Sequence, residues 1–135
     1  MHTRFIVGII ASLGSFTLAL EAISAGSPAF SIYFNRASAY SDKGEFDKAI
    51  ADYTAAIQLN PKSVSAYLNR SVCYANKREY KLAFRDVTMA IQLDPKHTNA
   101  YHDRGAYYAE IDEFDKAVAD FSQAIRFDPR KWKHI

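Results

Sequence analysis

Four histidines, one cysteine and fifteen carboxylates are the side chains of this 135-residue sequence that could ligate a metal or move a proton. His2, His97, His102 and His134 would need pairing at helical spacing, or a neighbouring Glu in a metalloprotease pattern, to hold zinc, and no such spacing occurs. Cys73 could act as a nucleophile, but it lies between Val72 and Tyr74 in an apolar helical stripe, where a thiol is buried and inert. As the sole cysteine it also excludes an internal disulfide and a cysteine-based metal site. The five glycines are scattered, so no phosphate-cradling loop is present, and there is no nucleophile elbow. Glu110, Asp112, Glu113 and Asp115 could attract a cation, but read better as a solvated turn with an acidic helix start. No catalytic residue, metal or cofactor is assigned, and the chain reads as a non-enzyme.

One polar constellation recurs. Arg36, Arg70 and Arg104 are spaced by 34 residues, as are Asp52, Asp86 and Asp120. A ligand site rarely needs the same group three times, so these residues predict a structural Arg–Asp contact within or between repeated units. The step also relates Tyr33, Tyr67 and Tyr101; Tyr40, Tyr74 and Tyr108; Ala49, Ala83 and Ala117; and Pro61, Pro95 and Pro129. A fixed period of this size marks stacked copies of one supersecondary unit that cannot bury its apolar face alone.

The elements that carry these residues are pairs of helices. In the first unit, Phe30, Tyr33, Phe34, Ala37 and Tyr40 recur at steps of three and four, predicting a helix over about Ala29–Asp42. Lys43-Gly44 ends it, because Gly takes the positive φ of a helix C-terminus. A second helix follows over about Phe46–Leu59 and stops at Asn60-Pro61. The second and third units repeat the pattern and stop at Asp94-Pro95 and Asp128-Pro129. Ala37, Ser71 and Gly105 on the first helices, with Ala49, Ala83 and Ala117 on the second, are small enough to let the helix pair approach closely.

The pattern resembles the tetratricopeptide repeat (TPR). The aromatic-small-aromatic run of the family's first helix is met by Tyr33-Ala37-Tyr40, Tyr67-Ser71-Tyr74 and Tyr101-Gly105-Tyr108. The alanine-aromatic-alanine-proline run of its second helix is met by Ala49-Tyr53-Ala56-Pro61 and Ala117-Phe121-Ala124-Pro129, with Val87 replacing the aromatic in the middle unit. The resemblance implies an all-α, right-handed solenoid of three helical hairpins, six helices in all; the uncharged run of residues 5–20 adds a hydrophobic N-terminal segment before it. The domain assignment is residues 1–25 as signal peptide or signal-anchor, 27–129 as the TPR domain (27–60, 61–94, 95–128), and 130–135 as a short basic tail.

The resemblance also implies a partner-binding groove lined by the first helices. In the first unit the matching positions are Ser31, Phe34, Asn35, Ser38 and Asp42; in the second, Ser65, Leu68, Asn69, Val72 and Asn76; in the third, Asn99, His102, Asp103, Ala106 and Glu110. Asn35 and Asn69 would bond a peptide backbone, and Phe34 and Leu68 would meet apolar side chains. The specialised family subset that clamps a C-terminal carboxylate uses lysines and an arginine where this chain has Phe34, Asn99 and Asp103; only Asn69 fits. A chaperone-tail receptor is disfavoured, and Asp42, Asp103 and Glu110 favour a neutral or basic segment. The expected role is a non-catalytic scaffold for a protein or peptide partner, the alternatives being a membrane-tethered spacer or a nucleic-acid-binding accessory.

Charge weakens the nucleic-acid alternative. The net charge of +2 is too small to imply a polyanionic partner. Residues 61–94 carry net +3, but residues 95–128 carry net −3. At the N-terminus, Met1-His2-Thr3-Arg4 precedes the uncharged run Phe5–Leu20 and the small-residue segment Ala22–Pro28, the order of a secretory signal. The chain is expected to be exported, periplasmic or secreted, with anchoring by an uncleaved residue 5–20 segment as the alternative. Beyond Pro129 the residues are too few for a polar capping helix, so self-association or partner docking is expected at that end, with folding-back of Trp132 as the alternative.

Overall fold

The computed structural model describes residues 27–133. The predicted signal or anchor segment, residues 1–25, lies outside the described residues. Six helices follow one another: α1 Pro28–Asp42, α2 Phe46–Leu59, α3 Val64–Asn76, α4 Tyr80–Leu93, α5 Thr98–Glu110 and α6 Phe114–Phe127. There is no strand among the described residues. Helices α1 and α2, α3 and α4, and α5 and α6 pair as hairpins, α3 packs on α2, α5 packs on α4, and each first helix touches the next. The result is the all-α, TPR-like solenoid expected from the 34-residue period.

The turns explain the element ends. Each first helix closes with a backbone hydrogen bond over five residues: Glu45 N–H to the Tyr40 carbonyl, Glu79 to Tyr74 and Glu113 to Tyr108, all 2.9 Å. This closure needs one residue of positive φ. Gly44 supplies it at 75°, but the same repeat position holds Arg78 at 61° and Asp112 at 62°. A non-glycine residue in this region costs about 1 kcal/mol, so two of the three turns are held by their surroundings rather than by local preference. Each second helix ends on a non-helical residue directly before proline, Asn60 and Asp94 extended and Asp128 at φ −143° and ψ 83°. Ser63 caps α3, its hydroxyl accepting from the Ala66 N–H at 3.2 Å.

The Arg–Asp contact forms in all three units, within each hairpin. Arg36 donates through Nε and Nη2 to the two carboxylate oxygens of Asp52 at 2.6 and 2.8 Å. Arg70 does the same to Asp86 at 2.7 and 2.7 Å, and Arg104 to Asp120 at 2.8 and 2.9 Å. This planar fork-on-fork geometry is what guanidinium offers and lysine cannot. Arg36 holds the Asp52 carboxyl below the usual carboxylate range. The arginines are therefore structural. They staple the two helices of a unit, and each lies over the Tyr that begins its own aromatic run, Tyr33, Tyr67 or Tyr101.

The small residues also have a measurable reason. A Cβ on Gly105 would lie 3.0 Å from the Phe121 ring and 3.2 Å from the Ala117 carbonyl oxygen. Ala37, Ala49 and Ala83 are fully buried, and Ala117 nearly so.

Between units, volume is exchanged across the junction. At the first junction α2 supplies buried Tyr53 and α3 supplies buried Cys73. At the second, the same repeat positions hold Val87 and Tyr107. The large side chain comes from the second helix at one junction and from the following first helix at the other. Both tyrosines anchor their hydroxyl on a first helix: Tyr53 meets Ser38 at 2.9 Å, and Tyr107 meets Ser71 at 2.8 Å, with Ser71 donating on to the Leu68 carbonyl at 2.6 Å. The valine that departs from the repeat pattern is thus matched by a tyrosine one helix later.

Candidate functional site

Two adjoining depressions run along one side of the first helices. The first, about 170 Å³, lies between α1 and α3 and is lined by Ser38, Ser41, Asp42, Tyr53, Asn69 and Val72. The second, about 400 Å³, lies between α3 and α5, where Val72, Asn76, Asp103, Ala106 and Glu110 meet Arg78, Tyr80 and Tyr107. Val72 lines both, so they adjoin, and together they make the channel that runs past the first helices of all three units.

The register explains who lines it. Repeat positions 35/69/103, 38/72/106 and 42/76/110 follow a helical step of three and four, and seven of the residues expected in a groove stand there lining the channel: Ser38, Asp42, Asn69, Val72, Asp103, Ala106 and Glu110. Asn76 does so too, its amide donating to the Val72 carbonyl at 2.9 Å. Asn35 is exposed on the same side of α1.

Ser31 and Ser65 are exposed and line neither depression, and four more expected residues are placed elsewhere. Phe34, Leu68 and His102 share one repeat position, and all three are spent on packing. Phe34 meets the Tyr53 ring edge-on at 5.6 Å. Leu68 lies with Val87 in the buried core and is 6 % exposed. His102 packs on Phe121 at 5.4 Å. Each leans on its own hairpin's second helix, so none offers an apolar side chain to the channel in the way expected of Phe34 and Leu68. Asn99 is engaged by the Lys131 ammonium, beside Asp128 and His97.

The channel is acidic but not uniformly so. Burial raises the Asp103 carboxyl above its ordinary value, against the pull of His102, whose Nδ1 lies 3.6 Å away. Arg78 stands at the rim among Asn76, Asp103 and Glu110. Burial also raises the Tyr53 phenol and the Cys73 thiol, the latter close to the Ser41 hydroxyl at 3.5 Å, so neither is a reactive anion. Among the described residues no group of three or more His, Cys, Asp or Glu is placed to hold a metal ion.

A second surface, missed as a cavity by sequence reasoning, lies at the far end of the solenoid. The Trp132 ring stacks on His102 with centroids 4.4 Å apart and planes 9° from parallel. Between that stack and α6, an apolar cavity of about 330 Å³ is lined by Phe121, Ala124 and Ile125. Trp132 therefore folds back on the last hairpin, yet Phe114, Val118 and Ile125 remain 61, 63 and 50 % exposed.

Family models of the tetratricopeptide repeat match residues 30–63 and 98–131. No curated protein matches the sequence. Among solved structures, the Arabidopsis OM64 TPR domain superposes with a TM-score of 0.73 at 28% identity, covering 76% of this chain and 84% of that one. The first TPR of Spaghetti (RPAP3), bound to HSP90 peptide SRMEEVD, gives 0.74 at 23% identity over 79% and 85%. The Sgt2 TPR domain from Aspergillus fumigatus gives 0.74 at 22% identity over 79% and 71%. With the period, the hairpins and these matches in agreement, the chain belongs to the tetratricopeptide repeat family.

Proposed function

We propose that this chain is a non-catalytic scaffold that holds an extended, neutral or basic segment of a partner protein in the channel along α1, α3 and α5. The observation that carries the reading is the composition of that channel. Asn69 offers an amide able to bond a peptide backbone, and Asp42, Asp103 and Glu110 supply negative charge on either side of it. Spaghetti's first TPR holds SRMEEVD, a peptide with two glutamates and an aspartate. The channel here carries carboxylates, so its occupant has the opposite chemistry.

A peptide library selected on the full chain tests this. Neutral or lysine- and arginine-bearing sequences should be enriched. Asp103→Asn with Glu110→Gln should weaken them about tenfold, the scale of a charge-assisted hydrogen bond, and flatten their salt dependence. Enrichment of acidic sequences, or binding indifferent to Asn69→Ala and to the charge removals, would sink the reading.

The same proposal places the scaffold outside the cytoplasm. Support comes from the N-terminal order of basic start, uncharged run Phe5–Leu20 and small-residue segment. Intact mass of the protein from its own cells checks it. A mature start near Ala22–Pro28 supports export, an intact Met1 in the membrane fraction favours the tethered reading, and an intact Met1 in the cytosol ends both.

A further inference from the structure

The exposed face of α6 repeats a surface that the molecule covers twice elsewhere. Val118 stands at the register position of Ile50 and Phe84, and Ile125 at that of Ile57 and Ile91; all four of those counterparts are half-buried. At both inner junctions the next first helix does the covering, α3 on α2 and α5 on α4. The helix that fits such a face is therefore a first helix of this register.

The geometry points to α1 of a second copy of this chain as the occupant, docking on α6 head to tail as α3 docks on α2. Three features of α1 match. Its Ile32 is 60 % exposed at the position where Ala66 and Ala100 are fully buried against the preceding unit. The larger side chain has room, because the cavity of about 330 Å³ beside Ala124 and Ile125 lies open on α6. Ala39 stands where Cys73 and Tyr107 fill the inner junctions, and it would face Phe121, which stands where Tyr53 and Val87 do. A large residue on the second helix against a small one on the incoming helix is the arrangement of the first junction. Finally, Arg70 donates its remaining Nη1 across the first junction to the Thr54 hydroxyl at 3.0 Å. Arg36 is the same residue in α1, is 53 % exposed, and would meet Ser122, which repeats Thr54.

Such a contact uses different surfaces on the two copies, so it passes from copy to copy into an open chain or a ring of subunits rather than stopping at a dimer. Trp132 occupies the register position that Phe30 of the incoming α1 would take, so docking must move it from His102. Trp132 is the only tryptophan, and its fluorescence reports that one event.

Sedimentation velocity and tryptophan emission of the full chain over rising concentration test the proposal. Mass should grow past the dimer, with a parallel change in emission. Ile32→Arg and Val118→Arg, both at exposed positions, should each leave the chain monomeric and folded by circular dichroism. Mixed one to one, they should form dimers and nothing larger, because one intact head meets one intact tail. Ser122→Ala should weaken association several-fold without shifting the Tm. A wild type that stays monomeric throughout overturns the proposal. So does a closed dimer sensitive to Val118→Arg but not Ile32→Arg, or an assembly indifferent to both.

Discussion

Arg70→Met should lower the stability of the chain by about 3–5 kcal/mol, because it leaves the Asp86 carboxylate, 4 % exposed, without its two charge-assisted hydrogen bonds. The bond to Thr54 across the first junction goes as well, so the second unit also loosens on the first. Exposure orders the three pairs: the arginine is 16 % exposed in the middle unit, 23 % in the third and 53 % in the first. Losses should therefore fall from Arg70 to Arg104 to Arg36, the last being screened by water. Arg70→Met together with Asp86→Leu should recover most of the deficit, since a buried pair and a well-packed apolar pair are nearly equivalent. Urea unfolding of the singles and the double decides it. A single-variant loss below about 1 kcal/mol, or a double as poor as the two singles added, would falsify a buried and coupled pair.

The second large effect belongs to the second junction. Tyr107→Cys copies the residue of the first junction into a place whose partner is Val87 rather than an aromatic. It removes a ring packed edge-on against Phe84 at 6.0 Å and leaves a cavity, at a cost of about 3 kcal/mol. Adding Val87→Phe, the residue type found at the equivalent position in the third unit, should return more than half. The strong positive coupling expected, measured by a double-mutant cycle in chemical denaturation, distinguishes volume exchange from independent contributions. Strict additivity would mean that the two positions do not share one space.

Much of this was legible in the chain because it is written three times. The stop of each second helix before Pro61, Pro95 or Pro129 and the Arg–Asp staples follow from residues that recur without substitution. What recurrence cannot resolve is which side of an apolar stripe faces the adjacent helix and which faces the channel. Phe34, Leu68 and His102 lie one residue from Asn35, Asn69 and Asp103, about 100° around the helix, and that step separates packing from the channel wall. The exchange of Tyr53 and Cys73 for Val87 and Tyr107 was hidden for the opposite reason. Each position by itself looks like a departure from the repeat, and only contact across the junction shows that the departures compensate. The stacking of Trp132 on His102 brings together residues of different repeat positions, and no periodicity signals it.

The staples all join residues sixteen apart, and the farthest side-chain bond among the described residues, Ser71 to Tyr107, spans only thirty-six. Among the described residues, no side-chain hydrogen bond waits for distant parts of the chain to find each other. Loop closure is cheap at each step, so a hairpin can form on its own staple and recruit its neighbour through one tyrosine. The order of assembly is then set by local strength rather than by topology. The middle hairpin, with its staple buried deepest and a junction on either side, is the segment from which order would spread outward in both directions.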